Sequence, residues 1–108
     1  MNDEPIVIFI TCGTPEEAER IAETLVRRKL AACGNILPEI TSIFRWKQTI
    51  ERERETLLLV KSRRSLFSRI VEQIKGVHSY ETPEIIALPV IDGSPDYLTW
   101  LSEETGEE

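Results

Sequence analysis

Three side chains in this sequence have the chemistry of soft metal ligands. They are the two cysteines, Cys12 and Cys33, and the single histidine, His78. Thiolate and imidazole groups suit copper and zinc, and Glu81 and Glu84 add carboxylate oxygens in the polar segment that follows His78. One chain offers too few such ligands for a closed tetrahedral site, whereas an oligomer could supply several copies of each. The number of subunits would then be part of the chemistry.

Each of these residues also has an ordinary structural explanation. Free cysteine is often buried in protein cores, and a lone histidine in a loop is commonly solvated or hydrogen-bonded. The N-terminus is acidic, unlike that of a signal peptide, so we expect reduced thiols in a cytoplasmic protein. With one histidine and no phosphate-binding loop, nucleophile elbow or zinc-hydrolase motif, the sequence does not predict an enzyme.

Length and composition predict one domain. The chain has 108 residues, 41% of them hydrophobic, and a formal net charge of −6, which argues against nucleic acid as a partner. The longest apolar runs, Ile6–Ile10 and Leu57–Val60, are far shorter than the ~20 residues of a membrane-spanning helix, so we expect no membrane insertion. We expect a single domain over residues 1–108 with its core in 6–101, and flexible ends at 1–5 and 103–108.

The order of predicted elements indicates the fold. The apolar run Ile6–Cys12 predicts a central strand, and Thr14, Pro15 and Glu17 predict the capped start of a helix. A turn at Gly34-Asn35, two further strands, a second helix from Ser62 or Ser65, an edge strand over 85–91 and a short terminal helix follow. This is the split βαβ pattern: an α+β, ferredoxin-like βαββαβ sandwich with an extra C-terminal helix.

A long hairpin over residues 36–60 has an unusual charge pattern. Residues 51–55 alternate in sign, so Glu51, Glu53 and Glu55 face one side of the strand while Arg52 and Arg54 face the other. A solvated strand explains this pattern, and so does a protruding hairpin whose charges pair with another subunit. The reversal is placed at residues 47–49, although it lacks the glycine expected in a tight turn.

Several segments together resemble a known family. They are Thr11-Cys12, Leu30-Ala31-Ala32-Cys33, Thr41-Ser42-Ile43-Phe44-Arg45-Trp46, His78-Ser79-Tyr80-Glu81-Thr82-Pro83-Glu84, Ala87-Leu88-Pro89-Val90 and Tyr97-Leu98-Thr99-Trp100. With these segments in this order, the chain resembles the CutA family of divalent-cation tolerance proteins from Ile6 to Leu101. It departs from the family pattern at Gly34, where a larger residue is usual, at Gln48, which replaces a glycine, and at Ser79, which replaces a proline.

The resemblance implies a homotrimer that binds copper or another divalent metal ion and takes part in divalent cation tolerance and the response to metal ions. It implies His78 as the first choice of metal ligand, with Cys12 and Cys33 as further ligands. The family is also similar in architecture to PII signalling proteins. The alternative is therefore a structural or signalling trimer that binds a metabolite or partner protein at a cleft between subunits. The residues expected to line that cleft are Trp46, Tyr80, Glu81 and Glu84.

Overall fold

The described part of the chain contains four strands and three α-helices. The computed structural model describes residues 3–106. In chain order the elements are β1 (Pro5–Cys12), α1 (Pro15–Arg27), β2 (Cys33–Trp46), β3 (Thr49–Arg63), α2 (Phe67–Lys75), β4 (Ile85–Pro89) and α3 (Pro95–Glu103), with a 3-10 turn at Arg64–Leu66 before α2. The predicted βαββαβ order with an added terminal helix is confirmed.

The strands form one antiparallel sheet in the order β2-β3-β1-β4. The strand β1 is therefore central, as its β-branched apolar sequence predicts. The strand β4 lies at an edge, where Pro89, which has no N–H to donate to a neighbour, is tolerated. This topology is the ferredoxin-like one, and it places the C-terminal end of β1 beside the start of α1.

The helix α1 begins as its sequence predicts. The Thr14 side-chain oxygen accepts a hydrogen bond from the Glu17 N–H at 3.1 Å, and Pro15 occupies the first turn, where its missing N–H costs nothing. The Glu17 carboxylate does not return to the Thr14 N–H, as a standard capping box would have it. It accepts from the N–H of Gly13 at 2.9 Å, and its side chain is thereby drawn towards the end of β1.

The core lies between one face of the sheet and the first two helices. Residues spaced two apart on β1 and β3 point to the same side, and on that side Ile8, Ile10, Leu58 and Val60 are fully buried. Burial of each such side chain contributes about 1.5–3 kcal/mol. The third helix, α3, contacts β1 and β3, and its buried Leu101 lies outside this core cluster.

Two local predictions are wrong. The pair Gly34-Asn35 is no turn but part of β2, where Gly34 lies opposite Val60. A Cβ on Gly34 would lie 2.9 Å from the Ala22 Cβ, so this glycine allows α1 to pack closely on the sheet. The second helix begins at neither of its two predicted starts. Ser62 is buried in β3 and donates its hydroxyl to the Leu30 carbonyl at 2.6 Å, and Ser65 lies in the 3-10 turn that precedes α2.

The β2–β3 hairpin extends well beyond the helices, and the molecule measures 43 × 25 × 23 Å. Its pairing continues to Trp46 and Thr49, so the predicted reversal is confirmed as a two-residue turn. Lys47 and Gln48 form this turn with φ values of 49° and 75°, the left-handed region that glycine or asparagine usually occupies.

Contacts continue to both ends of the described range. The Arg63 guanidinium binds the Asp3 carboxylate at 3.0 Å and the Thr105 hydroxyl at 2.7 Å. The flexibility expected for 1–5 and 103–108 remains a prediction, and residues 1, 2, 107 and 108 of those ends lie outside the described residues. Between residues 3 and 106, no helix combines the length and apolar character needed to cross a bilayer.

Candidate functional site

The loop after α2 carries His78 onto the end of β1. The imidazole is fully buried, and its Nε2 lies 2.8 Å from the Thr11 carbonyl oxygen while its Nδ1 lies 3.0 Å from the Tyr80 backbone nitrogen. A carbonyl can only accept and a backbone N–H can only donate, so Nε2 carries the ring proton and Nδ1 is bare. Both ring nitrogens are therefore engaged by the protein.

Glu17 lies directly beside this histidine. Besides the Gly13 N–H, its carboxylate accepts the Ser79 N–H at 2.7 Å and the Ser79 hydroxyl at 3.1 Å, and it lies 3.6 Å from the His78 Nδ1. Burial opposes ionisation of this side chain. The hydrogen bonds from Gly13 and Ser79 outweigh burial and lower the Glu17 pKa from its ordinary value. Glu17 is thus a buried, ionised carboxylate at neutral pH.

Cys12 completes a compact cluster with these two residues. One potential ligand atom from each of Cys12, Glu17 and His78 lies within 4.8 Å of the others. Burial raises the pKa of the Cys12 thiol from 9.0 to about 12, and the negative charges of Glu17 and Glu55 add to the effect. Cys12 is therefore a protonated thiol at neutral pH.

Cys33 does not join this cluster within one chain. It lies opposite Lys61 on β3, whereas Cys12 lies opposite Thr56. Five residues of strand separate those two positions, roughly 17 Å at about 3.3 Å per residue. The Cys33 sulfur lies 3.7 Å from the Asn35 side-chain oxygen instead.

The fold brings two of the three predicted ligands, Cys12 and His78, together and adds Glu17 to them. Glu17 was assigned only to helix capping, because its position in Thr-x-x-Glu fully accounts for it locally. Its second role depends on Ser79 and His78, which approach it only in the folded chain. The one local signal was that Glu17 follows Cys12 by only five positions in the sequence.

All four predicted cleft residues line one cavity. It has a volume of about 910 Å³ and lies between the acidic side of the hairpin and the loop that follows His78. Trp46, Tyr80, Glu81 and Glu84 contribute to its wall, together with further residues of the hairpin. Those further residues include Phe44, Glu51, Glu53 and Glu55. Five carboxylates line the cavity, and none of the described lining residues is basic.

Tyr80 connects the cavity to the buried cluster. Its hydroxyl donates to the Glu55 carboxylate at 2.7 Å, and its ring lies 4.7 Å from the His78 ring, centroid to centroid. Burial, the hydrogen bond to Glu55 and the surrounding negative charge raise the Tyr80 pKa above its ordinary value. Tyr80 is therefore a neutral hydrogen-bond donor that contacts both Glu55 of the acidic cavity and His78 of the buried cluster.

Comparison with known proteins agrees with this fold. Residues 6–104 match the family described as CutA1 divalent ion tolerance protein. A divalent-cation tolerance protein CutA of Thermus thermophilus is 46% identical over 100 residues, which cover 93% of this chain and 97% of that protein. The mouse protein CutA is 44% identical over 97 residues, and the chain spans only 55% of its length.

Solved structures give the same result. The divalent cation tolerance protein from Thermus thermophilus superposes with a TM-score of 0.92 at 45% identity, over 94% of this chain and 99% of that one. CutA1 from Oryza sativa superposes with a TM-score of 0.93 at 39% identity, over 98% and 97%. The chain belongs to the CutA1 divalent ion tolerance family.

Proposed function

We propose that this protein binds a divalent metal ion, with copper as the first candidate, through Cys12, Glu17 and His78. The observation that carries the proposal is the buried cluster in which a sulfur, a carboxylate oxygen and an imidazole nitrogen lie within 4.8 Å of one another. Such a mixed donor set suits copper and zinc better than magnesium or calcium, which prefer oxygen alone. Membership of a family named for divalent ion tolerance supports a role in that process.

The protonation states and hydrogen bonds of the three side chains determine what must change when a metal ion binds. The Cys12 thiol must lose its proton before the sulfur can bind a metal ion, and its raised pKa makes this unfavourable at neutral pH. The His78 Nδ1 must release the Tyr80 N–H, whereas the ionised Glu17 is already suited to a cation. Binding should therefore release a proton and become stronger as the pH rises.

A binding protein fits the cluster better than an enzyme. Nucleophilic catalysis by Cys12 would need a base within hydrogen-bond reach, and His78 instead hydrogen-bonds the backbone of Thr11 and Tyr80. The donors are therefore arranged to hold a charge and not to activate a nucleophile. The cytoplasmic location expected from the sequence remains a prediction.

The open face of the sheet supports a homotrimer. On the side away from α1 and α2, Phe9 lies between Leu59 and Ile86, and Leu57 lies beside Leu37. Ile86 is 52% exposed, and the two sheet edges, β2 and β4, have no neighbouring strand within the described chain. An apolar open face with unpaired edges is a typical surface for subunit association. Light scattering should give three chains, and a stable 12.4 kDa species would contradict the trimer.

The cavity favours the second candidate function, a trimer that binds a small molecule at a subunit cleft. Its volume of about 910 Å³ is in the range of ligand sites, and the aromatic rings of Trp46 and Tyr80 could hold an organic ligand. Because five carboxylates line it and none of its lining residues between 3 and 106 is basic, a cationic ligand is favoured over a nucleotide or another anion. A thermal-shift screen in the presence of a chelator distinguishes this function, since stabilisation would then need no metal.

The metal site can be tested with Co²⁺, whose bond to a thiolate gives a characteristic charge-transfer absorption. We expect that band when wild-type protein is titrated in a phosphine reductant, and we expect it to grow with pH. Cys12→Ser should abolish the band, and His78→Ala should weaken binding.

Cys33→Ser is the matched control, because it removes a thiol that lies outside the cluster. It should leave the band unchanged. Loss of the band in Cys33→Ser with its retention in Cys12→Ser would show that the proposed site is wrong.

A further inference from the structure

The three side chains of the proposed metal site are buried. The Cys12 thiol and the His78 imidazole are fully covered, and Glu17 is 5% exposed. A metal ion can therefore reach these donors only if a group packed against them moves. The neighbours of the cluster determine which group that is and from which side an ion would enter.

The acidic cavity extends to residues that contact the cluster directly. Thr11 lines the cavity, directly precedes Cys12, and accepts the hydrogen bond from the His78 Nε2 through its carbonyl. Tyr80 also lines the cavity, and its backbone N–H donates to the His78 Nδ1 at 3.0 Å. The cavity and the cluster are therefore joined through these two residues.

Tyr80 covers the ring nitrogen that a metal ion would need. Besides the bond from its N–H to the His78 Nδ1, its ring lies 4.7 Å from the His78 ring, centroid to centroid. The ring also packs against Gly13, since its Cε1 atom lies 3.6 Å from the position that a Cβ on Gly13 would occupy. Tyr80 thus contacts both the histidine and the segment that connects Cys12 to the helix α1.

The hydroxyl of Tyr80 is held from inside the cavity. It donates to the Glu55 carboxylate at 2.7 Å, and Glu55 is a cavity-lining residue that is 8% exposed. Hydrogen bonds to a carboxylate are stronger than those between neutral groups. A cation in the cavity would compete with the hydroxyl for this same carboxylate.

The backbone around Tyr80 is suited to local opening. Tyr80 lies in the segment 76–84 between α2 and β4, outside any helix or strand. The residues that follow it, Glu81 and Thr82, are exposed. Segments with few buried contacts open at a lower free-energy cost than the core does.

We propose that the acidic cavity is the entry route to the metal site and that Tyr80 is its gate. The gate is closed while the Tyr80 hydroxyl binds Glu55. A cation that binds Glu55 favours the open state, because the carboxylate is free only when Tyr80 has moved, and this movement also frees the His78 Nδ1. The inference rests on the proposed metal-binding function and adds the path by which the site is filled.

Chemical labelling of Cys12 measures the gate without any metal ion. In a Cys33→Ser parent, Cys12 is the remaining thiol, and iodoacetamide reaches it only when its cover opens. Tyr80→Phe removes the hydroxyl that binds Glu55, so labelling should be at least about tenfold faster than in the parent. Tyr97→Phe alters the chain's other tyrosine and is the matched control, with labelling at the parent's rate.

Urea unfolding of each variant gives the labelling rate that global unfolding alone would allow. If Tyr80→Phe is labelled no faster than the parent, or only as fast as its global stability allows, Tyr80 is not the gate. The proposal is then overturned, although the metal site stands.

Stopped-flow measurement of Co²⁺ association tests the route. Association should be faster in Tyr80→Phe, a change that damage to the site would not produce. It should be at least about threefold slower in Glu51→Gln/Glu53→Gln, because the cavity then attracts cations less strongly. Glu103→Gln/Glu104→Gln removes the same charge from exposed residues at the end of α3 and should leave the rate unchanged.

Sedimentation and circular dichroism verify that the variants assemble and fold like wild type. Equal association rates in the two glutamine pairs would show that ions do not enter through the cavity, which overturns the proposal. If wild-type protein shows no Co²⁺–thiolate band at equilibrium, the proposed metal site itself fails, and its entry route fails with it.

Discussion

Glu17 is the residue that makes the buried cluster possible. An ionised carboxylate in the interior is costly unless hydrogen bonds replace its water, and Gly13 and Ser79 supply three of them. The same donors hold the end of β1, the start of α1 and the loop of His78 in one arrangement. The carboxylate that would attract a metal ion therefore also stabilises the fold through these hydrogen bonds.

We therefore predict that Glu17→Gln destabilises the protein by about 2–3 kcal/mol, because an amide would turn an NH₂ group towards one of these donors. Glu16→Gln is the control, since Glu16 is exposed in the same helical turn, and it should change stability by less than about 0.5 kcal/mol. Urea unfolding at pH 7 measures both. Equal effects of the two substitutions would show that the Glu17 hydrogen bonds contribute nothing specific.

Acid pH gives a second test of the same carboxylate. The Glu17 pKa is lower in the folded state, so its contribution is present above the unfolded pKa and is lost as the pH falls through the folded pKa. Wild-type protein should lose more stability than Glu17→Gln between about pH 5 and pH 3. Parallel stability curves over this interval would contradict the lowered pKa.

The raised pKa of Cys12 predicts that stability falls at alkaline pH. Below pH 9 its thiol is protonated in both states, but between 9 and about 12 the unfolded chain loses the proton while the folded chain keeps it. The free energy of unfolding should therefore fall as pH rises through this interval, and it should fall less steeply in Cys12→Ala. An unchanged slope in Cys12→Ala would show that the thiol is not held protonated.

At the scale of elements, the close packing of α1 on β2 depends on Gly34. The Ala22 Cβ lies 2.9 Å from the position that a Cβ on residue 34 would occupy, closer than two carbons tolerate. Gly34→Val should therefore destabilise the protein by about 1–3 kcal/mol, as measured by thermal or urea unfolding. Ala22→Gly removes the obstructing atom. The double variant Ala22→Gly/Gly34→Val should therefore lose less stability than the losses of the two single variants added together. Additive losses would contradict the close contact.

The elements differ in how far sequence could predict them. The strand β1, the Thr14 cap and the edge position of β4 follow from local patterns, and each was predicted correctly. Gly34 was misread as a turn signal. A glycine that allows a helix to pack closely on a strand cannot be distinguished, from the local sequence, from a glycine in a turn. Ser62 was misread as a helix start for a similar reason, since its partner, Leu30, is distant in sequence.

At the residue scale, the sequence did not predict which side chains distant along the chain lie together in the fold. The types of Cys12 and His78 indicated a metal site, but only the fold shows that they lie together and that Cys33 lies elsewhere. Glu17 could not be found from sequence, because its capping position already explained it. The cleft residues were grouped through the family resemblance, and the structure brings all four to one cavity.

At the scale of the whole molecule, the proposed trimer joins the two sites. Three copies would carry three times the chain's net charge of −6, which favours the approach of cations and disfavours nucleic acid. Each copy would contribute one buried cluster and one acidic cavity, linked through Tyr80. The proposed trimer would then be the form of the protein that binds cations.

Native mass spectrometry of the protein loaded with Zn²⁺ and freed of weakly bound metal tests the central claim most directly. We predict an assembly of three chains that carries one ion per chain, with ions lost in Cys12→Ser and retained in Cys33→Ser. An assembly that carries no ion, or one that carries the same number of ions in Cys12→Ser as in wild type, would contradict the account.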